Sequence, residues 1–135
     1  MKGLFSPEPL GGNYGLGIIR IFVGMFLLYH GHEVFRPEIM KMYFEWDVFK
    51  GSLGTIKVYA GKIAELTAGL LLTLGLFTRI GAIIIIGTMG FITFFVGKGR
   101  FWYEDQHPFL FVLFGILFLT MGPGAFSLDG SRKNS

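Results

Sequence analysis

The sequence predicts an all-α fold: an integral membrane four-helix up-down bundle, with a short amphipathic interfacial helix between the first and second helices. Three observations lead there. Four apolar runs of helical length are separated by turn-forming residues. Only 16% of the 135 residues are charged and 52% are hydrophobic, against about 25% charge in an ordinary soluble domain. Small residues recur every seven positions inside the runs, the spacing that lets helices approach closely in lipid. The expected organisation is a flexible tail over 1–14, one transmembrane domain over 15–124 and a polar tail over 125–135.

The first span is Gly15–Phe35. At about 1.5 Å per residue it crosses a hydrocarbon core of about 30 Å. No small-x-small cleavage pattern follows it, so it reads as a retained helix rather than a signal peptide. Gly17, Gly24 and Gly31 share one face, and Arg20 lies on it. Arg20 reads either as a snorkelling side chain or as a buried counter-ion. The far end runs Tyr29-His30-Gly31-His32-Glu33, which places His30 and Glu33 at i, i+3.

Residues 36–57 form the first long connection. Pro37 suits a helix start, and Glu38 suits its positive end. Ile39, Met42, Tyr43, Trp46 and Phe49 follow the 3.6 period. The spacing predicts a short helix over 38–50 in the membrane interface, or a lid over the bundle mouth.

The second span is Val58–Phe77. Glu65 lies on the face of Gly61, Ala68 and Gly75. A carboxylate at such depth costs roughly 2.5–3.5 kcal/mol on insertion scales, so it is expected to face a partner or a cavity. Counting antiparallel depth puts Glu65 nearly level with His30, and Arg20 about two turns away. Phe77-Thr78-Arg79 reads as a tight turn before the uncharged third span, Ile80–Val96. The connection Gly97–His107 holds Phe101-Trp102-Tyr103, an interfacial aromatic triplet, then Glu104 and His107 at i, i+3. The fourth span, Phe109–Met121, follows Pro108, and Gly122-Pro-Gly124 stops it.

The net charge of +3 carries no basic block, which argues against nucleic acid. The absence of cysteine excludes disulfides, thiol redox chemistry and Fe–S ligation. Arg36, Lys41, Lys50, Lys57, Lys62, Lys98 and Arg100 lie on the side of the two longer loops; Lys2, Arg79, Arg132 and Lys133 lie on the side of the termini. That bias predicts cytoplasmic loops.

The chain resembles the DoxX family of small four-helix membrane proteins. The residues that carry the likeness are Ile19-Arg20-Ile21 with Gly24, His30-Gly31, Glu65 before Gly69-Leu-Leu-Leu, and the turn Leu74-Gly-Leu-Phe-Thr-Arg79. Acidic residues and a histidine before the fourth helix, Gly122-Pro-Gly and Ser127-Leu-Asp129 complete it. Relatives often carry a lysine shortly after the His-Gly pair; here Val34 stands near that place and Arg36 is the nearest cation. The resemblance implies an up-down bundle in the bacterial inner (cytoplasmic) membrane. Some relatives are subunits of a thiosulfate:quinone oxidoreductase, others belong to redox-stress membrane complexes, and distant ones assist receptor assembly.

The first functional expectation is a quinone-linked oxidoreductase, or a subunit of a membrane redox complex. Its proton-bearing residues would be His30, Glu65 and Arg20, with Glu33, Trp102 and His107 beside the bound ring. No flavin, haem or nicotinamide motif is recognisable, so electrons would come from a membrane or peripheral redox partner or from substrate. The alternative is a non-catalytic assembly or interaction protein, with homo-oligomers as one outcome. A metal site built from His30, Glu33, Glu65, Glu104 and His107 is a third reading, and transport a fourth.

Overall fold

A computed structural model describes residues 4–133. The outermost parts of the two expected tails, residues 1–3 and 134–135, lie outside the described residues. Among the described residues six α-helices follow in order: α1 (Asn13–Gly31), α2 (Pro37–Phe44), α3 (Gly54–Leu74), α4 (Thr78–Phe91), α5 (Gln106–Met121) and α6 (Leu128–Lys133). No strand occurs among the described residues. Asn13–Phe35 and Thr78–Val96 are long and apolar enough to cross a membrane. α5 is apolar but shorter, and α3 carries Lys57, Lys62 and Glu65 along its length.

The helices pack in sequence: α1 on α3, α3 on α4, α4 on α5. Glycine sets the first contact. A Cβ on Gly24 would stand 2.5 Å from Thr73 N, and one on Gly31 2.5 Å from Leu66 N. From the other side, Gly69 meets Leu28 N at 2.7 Å on the same construction. Backbone therefore lies against backbone, the close approach that stands in for a hydrophobic drive where helices are surrounded by lipid. Gly115 lets α5 close onto the Ile85 and Ile86 side chains and Ala82 O of α4. Val23, Leu27, Ala68, Leu72, Ala82, Ile85 and Phe118 fill the interior between these contacts.

The expected small-residue face of α3 divides into three roles. Ala68 is buried in the core. Gly75 is the left-handed C-cap that ends the helix, with φ 67°. Gly61 meets nothing within 4 Å and borders a cavity. The second helix accordingly stops at Leu74, three residues before the predicted Phe77. The turn is Gly75-Leu76-Phe77, and Thr78 and Arg79 already belong to α4.

Two other segments depart from expectation. The single helix over 38–50 is broken: α2 ends at Phe44, and a 3₁₀ turn follows at Asp47–Phe49. α4 runs into a π-helical turn at Ile92–Val96, held by Gly97 N–H donating to Ile92 O at 2.7 Å. Such wider turns occur mostly as single interruptions, frequently at functional sites.

Within the described residues, the polar stretch after 125 is folded back on the helices. Asp129 accepts hydrogen bonds from Phe77 N and Thr78 N, both at 2.8 Å, and its own N–H donates to Gly75 O at 2.8 Å. Phe77 adopts φ 48°, unusual for a large side chain, and the carboxylate clamps that peptide in place. At the start of α1, Ala125 N–H donates to Asn13 O.

Candidate functional site

The close α1–α3 contact at Gly31 carries the chain past the end of α1 directly onto α3. Glu33, in the 3₁₀ turn His32–Phe35, thereby reaches Lys62. Lys62 Nζ lies 2.9 Å from Glu33 Oε2 and 3.2 Å from Glu65 Oε2, and it donates to His30 O at 3.4 Å. The three side chains are withdrawn from solvent, at 15%, 9% and 6% exposure for Glu33, Lys62 and Glu65. Two carboxylates thus share one ammonium inside the protein.

α2 closes over this group. Met40 buries against the bundle, and Tyr43 Oη donates to Glu33 Oε2 at 2.7 Å. The Tyr43 ring also lies under the lysine, its centroid 4.6 Å from Lys62 Nζ, within cation–π range. Burial, then the hydrogen bond to Glu33, pushes the Tyr43 phenol above its usual pKa, so it stays a donor. The amphipathic segment serves as the lid named among the expectations, at least at Tyr43.

Beside the buried charges opens a cavity of about 670 Å³. Glu65, Lys62 and His30 border it on one side, and His107 of α5 completes the polar end. The His30 and His107 rings are 5.9 Å apart, edge to face. The remaining wall is mostly apolar, with Ile83, Ile84, Met89, Phe91 and Ile92 from α4 and the π turn and Trp46 and Phe49 from the lid; Lys57 and Thr88 add polar atoms to it. The volume falls within the roughly 300–1,000 Å³ of ordinary ligand sites, and the mix of apolar wall and a few convergent polar groups is their usual chemistry.

Residues 15–98 match the family model for DoxX. The chain belongs to the DoxX family. The match includes His30, Glu33, Lys62 and Glu65 of this DoxX protein, whereas His107 lies beyond it. A protein of Haemophilus influenzae named only as uncharacterized is 29% identical over 123 residues, which is 86% of this chain and 89% of its own. No solved structure gives a significant match.

The residues proposed from sequence are partly brought together and partly separated. His30, Glu33, Glu65 and His107 converge at the polar end of the cavity or on its lysine. Arg20 does not join them. It is fully buried about two turns further along, donating from Nε to Leu72 O at 2.8 Å and from Nη1 and Nη2 to Ala125 O at 3.0 Å and Phe126 O at 2.8 Å, with Pro123 O also in contact. It is neither a snorkelling residue nor a counter-ion to Glu65: it holds backbone carbonyls. Trp102 is 64% exposed, packs on Phe101, and does not border the cavity. Glu104 turns to Arg100 and Lys98 at 3.1 and 3.6 Å. No group of three or more His, Cys, Asp or Glu side chains suited to a metal forms among the described residues.

Sequence reasoning missed Lys62 and Tyr43. Lys62 was counted with the loop cations and Tyr43 assigned to the headgroups. The usable signal was spacing: Lys62 is i−3 to Glu65, adjacent on the same helix face.

Proposed function

We propose that this DoxX protein spans the bacterial inner membrane as a four-helix up-down bundle and binds a quinone ring in the cavity beside Glu65, as a quinone-linked oxidoreductase or a subunit of one. The observation that carries the reading is the buried Glu33–Lys62–Glu65 group opening on an apolar cavity that also holds two imidazoles. α1 and α4 supply the two long apolar spans; α3 and α5 complete the bundle, with Lys62 and Glu65 of α3 buried. Removing the buried Lys62 from the loop cations still leaves the longer loops the more basic side, consistent with cytoplasmic loops.

A bound quinone supplies two-electron, two-proton redox chemistry, with electrons arriving from a redox partner or a reduced substrate. The chain's residues manage the protons. The donors of Lys62 are directed at Glu33, Glu65 and His30 O, so the lysine fixes both carboxylates. Glu65 Oε1 has no hydrogen bond among the described residues and belongs to a side chain that borders the cavity. Two carboxylates and one ammonium leave one uncompensated negative charge, costly in a buried setting. One further proton, on Glu65 or His30, neutralises the group and stands next to the ligand. Ile84, Met89 and Phe91 exclude water around it.

The alternative reading, an assembly protein associating through its glycine faces, loses ground on one point. Gly17, Gly24 and Gly31 are all occupied within the chain, by Ala125, Thr73 and Leu66.

The test uses Trp46, which borders the cavity, as the reporter. With Trp102→Phe, Trp46 is the one remaining tryptophan. In nanodiscs, a short-chain quinone should quench its emission saturably, and Ile84→Trp read by competition should abolish that binding. Quenching that rises linearly with quinone, as for a ring dissolved in lipid, would remove the reading.

A further inference from the structure

We infer that the cavity is entered sideways from the lipid, between α3 and α4 beside Gly87, and that its ligand is therefore a quinone carrying a long apolar chain. The inference rests on the quinone reading and adds the route and the substrate class.

Depth is fixed by the tight turn centred on Leu76. Gly81 faces Leu71 and Leu72, so residues equally far from Leu76 on α3 and α4 lie level. By that count Gly87 stands level with Glu65, eleven residues from Leu76 on each side. Gly87 is solvent-accessible, borders the cavity, and leaves open space where a side chain would stand. On α3 the bordering residue nearest this level is Ala64, with Gly61 and Ala60 about one turn beyond it, all three short. At this level Gly87 and Ala64 leave a gap in side-chain bulk between the outer surface and Glu65.

The cavity also joins the outside to the inside. Ile83 and Phe91 border it while 58% and 41% exposed on the outer apolar face of α4; Glu65 borders it at 5%. Its α4 wall runs from Ile83 to Val96, roughly 20 Å at about 1.5 Å per residue. The polar groups occupy one part of that length. The stretch at Ile83 and Ile84 is purely apolar and offers nothing to a ring carbonyl, but it suits a hydrocarbon chain. The other approach, from the lid, is covered by a row of rings, Tyr43 on Trp46 at 4.9 Å and Trp46 on Phe49 at 6.1 Å, with Tyr43 tied to Glu33.

Gly87→Leu and Gly90→Leu test this. Neither site has an atom within 4 Å of an added Cβ, and Gly90 does not border the cavity. Trp46 quenching in nanodiscs, with Trp102→Phe, is read for a quinone without a side chain and for one with a long prenyl chain. Gly87→Leu should raise the Kd of the prenylated quinone about tenfold or more and leave the bare ring nearly unchanged; Gly90→Leu should change neither. Equal loss for both quinones, or no loss for either, overturns lateral entry while leaving the quinone site standing. A wild-type protein that binds neither quinone removes the quinone reading and this inference with it.

Discussion

Lys62 Nζ sits 2.9 Å from Glu33 Oε2, and this contact fastens the end of α1 to the middle of α3 at the cavity's polar end. The contact needs Gly31, whose missing side chain lets the 3₁₀ turn lie against Leu66. Packing and charge placement are thus one feature: the glycine that closes the helix pair also delivers the acid to the lysine.

Lys62→Met is expected to lose about 3–5 kcal/mol, because it strands two buried carboxylates rather than merely deleting a pair. Adding Glu65→Gln should restore part of that loss, since Tyr43 still satisfies Glu33. A double-mutant cycle on thermal or denaturant unfolding in detergent measures it. Additive losses would show that the two groups do not share the lysine.

Tyr43→Phe keeps the ring beneath Lys62 and removes the hydrogen bond to Glu33. The expected cost is about 1.5–3 kcal/mol, the range for a bond to a charged group. Its pH signature is specific. The folded phenol has its pKa raised by burial and by Glu33. Its contribution is therefore complete below the unfolded value of about 10, and is lost as pH rises through the higher folded value. Wild type should lose stability relative to Tyr43→Phe across that alkaline window, and hydrogen exchange in α2 should accelerate there first. Parallel pH profiles would disprove the role.

The all-helical character was legible because its signals are long. Apolar runs of up to about twenty residues and seven-residue glycine spacing are extended or repeated features; the turn, read at Phe77-Thr78-Arg79, instead begins two residues earlier at Gly75. The candidate site was legible in part. Glu65 stood out because an acid in an apolar run is costly, and His30 because it shares its depth. Lys62 was obscured by its position near the helix start, where a cation reads as solvated; only the lid over it, a tertiary feature, makes it buried. Arg20 was left between a snorkelling side chain and a buried counter-ion, and neither reading names its partners. Backbone carbonyls of residues 123–126 leave no mark in sequence that names them as arginine acceptors.

Asp129→Ala removes two hydrogen bonds at the start of α4 and a negative charge at its positive end. The expected cost is about 1–2 kcal/mol. Asp129→Asn should retain part of the bonding and lose less. Protection of the Phe77 and Thr78 amides in hydrogen exchange reports it directly; unchanged protection would rule out the clamp.

Arg20→Met should destabilise the protein by about 2–3 kcal/mol, because it takes the arginine donors from the part-buried carbonyls of Pro123, Ala125 and Phe126. Arg20→Lys should fare little better, since one ammonium cannot reproduce the fork that spans Leu72, Ala125 and Phe126. Limited proteolysis should release the segment after 122 in both variants, while Trp46 quenching by quinone persists in whatever fraction remains folded. Loss of quinone binding in a folded Arg20 variant would return the arginine to the site.

Glu65→Gln separates chemistry from structure. The amide has the size of the acid and can still accept from Lys62, so helix packing is kept. It cannot hold or release a proton. General acid–base catalysis is worth about 10²–10⁴-fold, and the loss of quinol formation in membranes carrying the protein should fall in that range. Quinone binding, read by Trp46, should persist, and the melting temperature should change little, because the substitution leaves Lys62 with Glu33 as its one carboxylate and the group charge-balanced. If instead Glu65 serves only to anchor the bundle, the variant will lose melting temperature or yield and keep its turnover per folded molecule. Wild-type turnover in a stable Glu65→Gln protein would remove the acid from the mechanism altogether.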